Sequence, residues 1–454
     1  MHLLFSFRES SKDVRLLWIS VFLRMASFGL TNQVLTLFLK SLDVSETNIG
    51  LFMTLTLVGD TIISYLLTWH ADKIGRRLVM IIGALMMFVS GAVFSVSSHF
   101  VVLLIAAILG VISPSGDETG PFKSVEEASI AHLTPHVHRP EVFAFYGLFA
   151  TAGAAIGSLI SGVTVDYCHL QLEWDLNQCY RAVFMVYTII ALLKFGVMLF
   201  LSVNCEVQFN SNDSINSASA PTTETSSLLD DSDIQEDLTQ EVHNENTFGL
   251  LGLSGLSSTA RFYLPKFLVI FMLDSMGYGF MPSAWVVYYF KMAFAISATG
   301  LGTLFFFTNA IDSASSLPSA YLAKTLGPTR AMVFTQAPSA VFFILISISS
   351  NYIVASTLLI LHCATSTMDV VPRQVLLTSV MPSTDLTKVM GIVNVAKTFA
   401  RCIGPVFTGK LAEHNHLYVG FLINGICILT ADLLLGINFF HLDKDILRKQ
   451  SVLI

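Results

Sequence analysis

The sequence predicts an all-α polytopic membrane protein, with twelve transmembrane helices in two six-helix bundles. Three observations carry this expectation. First, 53% of the 454 residues are hydrophobic and only 13% are charged, about half the charged fraction of a soluble globular domain. Second, apolar runs of roughly 20 residues recur along the chain, each long enough to cross a bilayer as a helix. The short alternating segments of a β-barrel are missing. Third, a shift of 252 residues superimposes the halves: Asp60 on Asp312, Asp117 on Asp369, Ala71 and Gly75 on Ala323 and Gly327, Gly157 on Gly409. One offset joining separate helices marks a parallel duplication about an axis along the membrane normal.

The spans fall near 15–39, 48–69, 78–97, 101–132, 142–165, 181–203, 262–290, 295–317, 330–349, 352–381, 388–411 and 417–440. The domains expected are a first bundle over 1–203, a disordered acidic linker over 204–261, a second bundle over 262–441 and a tail over 442–454. Lys and Arg flank the termini and the loops after spans 2 and 8, whereas 41–47 and 166–180 are poor in them. Positive charge marks the cytoplasmic side, so both termini and the linker are expected there. No cleavable signal peptide is expected, since no apolar core precedes a small-residue cleavage site.

The net charge of −7 comes from one segment. Residues 204–260 hold ten acidic side chains and no Lys or Arg. That composition cannot bury enough apolar surface to order itself. Within it, Glu224, Leu228 and Leu229 fit an acidic dileucine signal that sorting adaptors could read, directing the protein to a vacuolar, lysosomal or endosomal membrane; the plasma membrane is the other destination. The six cysteines show no metal-ligand spacing. Cys168 and Cys179 share a short loop, either as a disulfide or as two thiols.

Charged residues inside apolar spans persist mainly where they face a bundle interior or a water-filled path. Span 4 is the densest case: an apolar run passes into Asp117, Glu118, Lys123, Glu126 and Glu127, interrupted by Pro114, Gly116, Gly120 and Pro121. Broken, charged helices of this kind line solute pathways. Asp117 and Glu118 are candidate proton carriers, with Asp274 in span 7 as a second site. Lys123 lies i+3 and i+4 from Glu126 and Glu127, the spacing of intrahelical pairs, so these three are assigned to gating. Arg24 is expected to bind an anion or to pair with Asp117 or Glu118. Asp369 and Arg373 on span 10 are an i,i+4 pair flanking Pro372. Lys397 and Arg401 on span 11 attract an anion or pair with Asp369. Asp60 and Asp312 are expected to latch the halves together. Lys194 in span 6 snorkels or pairs.

After span 2 the chain reads Thr68-Trp-His-Ala-Asp72-Lys73-Ile-Gly75-Arg76-Arg77. This resembles the loop 2–3 signature of the major facilitator superfamily at Asp72, Gly75, Arg76 and Arg77, with Lys73 a conservative stand-in and Thr68 replacing the first glycine. The second copy is degenerate, with Lys324 for the aspartate and Pro328 for the first arginine. Span 5, Gly153-x-x-x-Gly157-Ser158-x-x-Ser161-Gly162, resembles that family's antiporter-type motif with Ser158 in place of proline; plain helix packing by small residues is the alternative. Ser113–Phe122 and Met368–Gln374 are similar to a branch with bacterial and fungal relatives, the bacterial ones commonly labelled drug-efflux-like.

The resemblance implies secondary transport of a small organic solute by alternating access, with protons as coupling ion and export favoured. A facilitator or symporter for a nutrient or organic anion is the alternative, suggested by Arg24, Lys397 and Arg401. A non-transporting receptor or scaffold working through the acidic loop is the alternative of another class. No phosphate-binding Gly-x-x-x-x-Gly-Lys-Ser/Thr loop occurs, and neither an enzyme, a cofactor, a metal nor a nucleic-acid partner is expected.

Overall fold

A computed structural model describes residues 10–110, 112, 121–135, 138–206, 256–315 and 317–452. Asp117, Glu118 and the whole dileucine segment lie outside the described residues. No strand occurs among the described residues. Ten helices are long and apolar enough to span a bilayer.

The single-helix spans follow directly from the apolar runs: span 1 (Lys12–Ser41), span 2 (Glu46–Ile74), span 3 (Arg76–Val96), span 5 (Arg139–Leu170), span 6 (Leu176–Leu199), span 9 (Pro328–Ile348), span 11 (Ser383–Glu413) and span 12 (Tyr418–Phe439). Span 8 is short, Ala298–Ser315, and carries Asn309, Asp312 and Ser313 in its last turns. Three spans are broken. Span 4 is a helix over Phe100–Gly110 and another over Pro121–Leu133. Span 10 runs Tyr352–Ser366, tightens into a 3-10 turn at Thr367–Asp369, and resumes over Val370–Val380. Span 7 was expected as one helix over 262–290; instead it ends at Phe280 and restarts at Ser283. Pro282 explains the difference, because it lacks an N–H and disfavours helical backbone at Met281.

Within the first half, span 1 packs on spans 5 and 6, and span 3 on span 6. Spans 7, 11, 12 and 9 repeat this arrangement in the second. Small residues set the approach. A Cβ on Gly157 would lie 2.1 Å from the Ala26 carbonyl oxygen on span 1, and one on Gly404 would lie 2.1 Å from Gly279 on span 7. Gly157 therefore corresponds to Gly404, not to Gly409, and spans 5 and 11 are related by a shift of 247 rather than 252. The loops between the spans differ in length, so no single offset holds throughout.

The halves meet along two matching seams, span 5 on span 8 and span 11 on span 2. At the first, Gly162 faces the Ala298 carbonyl and Gly302 faces that of Ser158; at the second, Gly409 faces Glu46 and Gly50 faces Pro405. Each seam ends in a carboxylate. Asp166 accepts from the Ala298 and Thr299 N–H groups at 3.1 and 2.7 Å, capping span 8. Glu413 accepts from the Thr47 hydroxyl at the start of span 2. Tyr288 adds a 2.9 Å hydrogen bond to Glu46. All of these lie at the end of the bundle away from the two termini. Further along the same two seams, toward the terminal end, Thr54 donates to the Cys402 carbonyl and Thr151 to the Ser313 hydroxyl, both at 2.9 Å.

That terminal end is braced inside each half. Gly75 and Gly327 adopt φ of +104° and +89°, a region nearly closed to other residues. The turn at Gly75 aims the Arg76 and Arg77 N–H groups at the Glu206 carboxylate, at 2.8 and 3.2 Å. The turn at Gly327 aims those of Thr329 and Arg330 at Asp443, both at 2.9 Å. An anion at a helix N-terminus satisfies orphan donors and the helix dipole together. The second loop signature is degenerate in sequence, yet its backbone geometry is kept.

Candidate functional site

Each half buries one charged cluster. In the first, Glu126 of span 4 is fully buried. It accepts from Arg24 of span 1 at 2.9 Å, Tyr146 of span 5 at 2.8 Å, Ser20 of span 1 at 2.7 Å and Lys194 of span 6 at 3.4 Å. Arg24 also donates to the Tyr146 hydroxyl at 3.0 Å. A buried carboxylate is tolerable only with such dense pairing. Glu126 is thus no partner of Lys123, which is exposed on the same helix. The i,i+3 spacing suggested a local pair, but the helix turns Glu126 inward, where spans 1 and 6 supply two cations. Glu127 is half-buried. Lys194 does not snorkel; it is fully buried.

In the second half, Arg373 of span 10 donates to Asp274 of span 7 at 2.9 Å and to Asp369 one turn away. Gln336 of span 9 donates to Asp369 at 2.8 Å. The guanidinium lies 5.3 Å from the centre of the Phe271 ring, a favourable cation–π distance. Asp432 of span 12, only 3% exposed, lies within electrostatic range of Asp274, Asp369 and Arg373. The i,i+4 pairing of Asp369 and Arg373 is present, and Asp274 joins it. Lys397 is within electrostatic range of Asp369.

The clusters are charge-inverted copies. Arg24 and Asp274 each stand five residues before a glycine (Gly29, Gly279) that touches the backbone of span 5 or span 11. Glu126 and Arg373 are related by the same shift of 247 as those two spans. Lys194 and Asp432 each sit about three turns before the capping carboxylates Glu206 and Asp443. The first half therefore places two cations around one carboxylate; the second places two carboxylates around one cation, and adds Asp369.

Other predicted residues are placed as follows. Asp60 is fully buried, and it and Arg401 lie within electrostatic range of Cys402 on span 11, which puts Asp60 against the other half. Asp312 neighbours Cys363 of span 10, and its backbone carbonyl accepts from Thr367 at 3.1 Å. The side chains of Asp72 and Lys73 lie outside the described residues. Arg76 donates to the Ala128 carbonyl at 3.2 Å and Arg77 to that of Leu199 at 2.9 Å, tying the loop to spans 4 and 6. Cys168 and Cys179 are free thiols. Sequence reasoning missed Asp432, Tyr146, Asp166, Glu413, Glu206 and Asp443. A lone carboxylate within an apolar span is itself a functional signal, and Asp432 carried it.

Two pseudo-symmetric helical halves, each with a buried charged cluster and packed along two matching seams, define a membrane transporter rather than an enzyme. The chain belongs to the Major Facilitator Superfamily, whose sequence pattern matches residues 17–304 and 267–451. It is 48% identical over 448 residues to the uncharacterized membrane protein YJR124C of Saccharomyces cerevisiae, covering 98% of each chain. It is 26% identical over 159 residues to the quinolone resistance protein NorA of Staphylococcus aureus, covering 35% of this chain and 40% of that one. Its fold matches a bacterial homologue of the human lysosomal transporter Spinster in an inward-facing, unoccupied conformation, with a TM-score of 0.68 and 12% identity over 97% of this chain and 99% of the other.

Proposed function

We propose that the protein is a proton-coupled secondary transporter that moves a small organic solute by rocking its two halves about the buried clusters. The observation that carries the reading is the second-half cluster: Asp274 and Asp369 pair with Arg373, and a third buried carboxylate, Asp432, lies within electrostatic range of all three. Three buried negative charges around one guanidinium are costly, and proton uptake relieves them. The capping carboxylates Asp166 and Glu413 at the far end of the two seams support an inward-facing state when the termini are cytoplasmic, the side favoured by the positive charge around them. Export from the cytosol is the favoured direction, on the span 5 signature, and the acidic linker's dileucine pattern favours an endosomal or vacuolar membrane, where protons are abundant on the far side.

A second reading, transport of an organic anion without proton coupling, is favoured by the first half, where two cations, Arg24 and Lys194, converge on the buried Glu126 carboxylate. Purified protein in liposomes separates the two. A small-molecule extract is offered with and without an imposed pH gradient, and uptake is read by mass spectrometry. Proton coupling predicts accumulation that collapses with a protonophore. Anion facilitation predicts equal flux with or without the gradient, ended by neutralising Arg24.

A further inference from the structure

We infer that Asp432, on the last span, is the proton-carrying group, and that Arg373 is the cation whose allegiance its ionisation changes. The inference rests on the proton-coupled reading and names the residue within it.

The argument begins with hydrogen bonds. Arg373 is divided between Asp274 and Asp369, and Gln336 adds a second donor to Asp369. Both of those carboxylates are therefore compensated as anions. Asp432 has no such partner: it accepts no hydrogen bond among the described residues, and its Oδ2 is buried and unmatched. A carboxylate in an apolar interior without donors holds its charge poorly, and the neutral acid is the form that fits. The charge-inverted copy sharpens the contrast. Lys194, the counterpart of Asp432, reaches the central Glu126 at 3.4 Å. Asp432 makes no such contact with Arg373, whose Nη2 serves Asp274 and Asp369.

The charged and titratable groups facing the site come from three spans. Span 7 contributes Asp274, and Tyr278 beside Arg373; span 10 contributes Asp369 and Arg373; span 11 contributes Lys397, which neighbours Asp369. Span 9 presents Gln336, which is neutral. Asp274 and Asp369 both oppose a charge on Asp432, and Arg373 alone favours it at close range. Asp274 Oδ1 is also buried without a partner, and Asp274 lies on the neighbouring span within electrostatic range of Asp432. Loss of that proton to water breaks only the O–H bond. It leaves three anions competing for one guanidinium, and Arg373, anchored over Phe271 and partly exposed, is the member able to swing.

The test needs no substrate, because the proton is the probe. Infrared difference spectra are recorded across a pH series on the full-length protein in lipid nanodiscs. The neutral carboxylic acid carbonyl band, well resolved from carboxylate bands, is followed. The wild type is expected to show a titrating band that D432N lacks, D369N keeps and D432E restores at a displaced frequency. D274N removes an opposing charge and frees Arg373 for Asp432, so its band at neutral pH should fall by at least half; this arm stands even if D432N fails to fold. A wild type without a titrating band, or a D432N spectrum equal to wild type, overturns the assignment. If the band behaves as expected but liposome flux ignores a pH gradient, the coupling reading fails while the proton site stands. Gradient-driven flux with the band intact in D432N rejects Asp432 alone.

Discussion

Glu126 and Arg373 hold matching posts in the two halves with their charges exchanged: one carboxylate between Arg24 and Lys194, one guanidinium between Asp274 and Asp369. In a duplicated fold such inversion gives each bundle its own buried ionic lock. Among the described residues it sets two cations on one carboxylate in the first half and two carboxylates on one cation in the second.

The first lock is tested by E126Q. The substitution keeps shape but removes the buried carboxylate that both Arg24 and Lys194 reach, a loss of about 3–5 kcal/mol. Detergent-solubilised E126Q should melt well below wild type. Coupling it with K194M, which removes one of those two buried cations, should recover part of the loss; the double variant melting lower than E126Q would contradict this arrangement. Y146F removes two hydrogen bonds to charged groups, one to Glu126 and one from Arg24, and should cost at least about 1.5–3 kcal/mol.

The far-end seams should set the balance between the two access states. D166A removes two charge-assisted bonds that hold span 5 to span 8. At about 1–2 kcal/mol for a lost cap, the inward-facing population should drop severalfold. Spin labels placed on spans 5 and 8 would report this as a longer far-end distance. G302V is more severe, since its first side-chain atom would meet the Ser158 carbonyl oxygen at 2.6 Å. Unchanged distances in both variants would remove the seams from the mechanism.

Capping at the terminal end predicts matched losses. E206A and D443A each strip a carboxylate from two helix N–H groups. Each should lower the apparent stability by about 1–2 kcal/mol, with faster amide exchange confined to the first turn of span 3 or span 9. G75A should be at least as damaging, because φ of +104° strains any side chain and the new Cβ meets Glu206 Oε1 at 2.9 Å.

Cys205, next to Glu206, gives a chemical readout of the same brace. Burial, helped by the Asp13 and Glu206 carboxylates, pushes its thiol up to about 12. The reactive thiolate is then scarce at neutral pH, and maleimide labelling of Cys205 should be slow from pH 7 to 9. Labelling should accelerate in E206A, which removes one opposing charge and loosens the turn. Fast labelling of the native protein at pH 7 would refute the packing described there.

Hydropathy made the spans legible, and one offset made the duplication legible, because both depend on local composition. The breaks at spans 4 and 10 were also readable from proline and glycine. Partnership was not. Glu126 has a nearby Lys123 in sequence, yet its cations come from residues 102 and 68 positions away. The span 5 and span 11 register was misread because Gly157 and Gly409 fit the 252 shift by type, whereas packing pairs Gly157 with Gly404. Asp432 was overlooked because span 12 reads as uniformly apolar around it, and its acidic neighbours lie on other helices. The caps Glu206 and Asp443 sit at loop edges, where a carboxylate is ordinary in composition and acquires meaning only from the glycine turn opposite.

The most direct test of proton coupling is flux through purified protein in liposomes with an imposed pH gradient, before and after a protonophore. At least one solute of a small-molecule extract should accumulate with the gradient in wild type, lose that accumulation with the protonophore, and still exchange but no longer accumulate in D432N. Solute flux of equal size with and without the gradient would contradict the account.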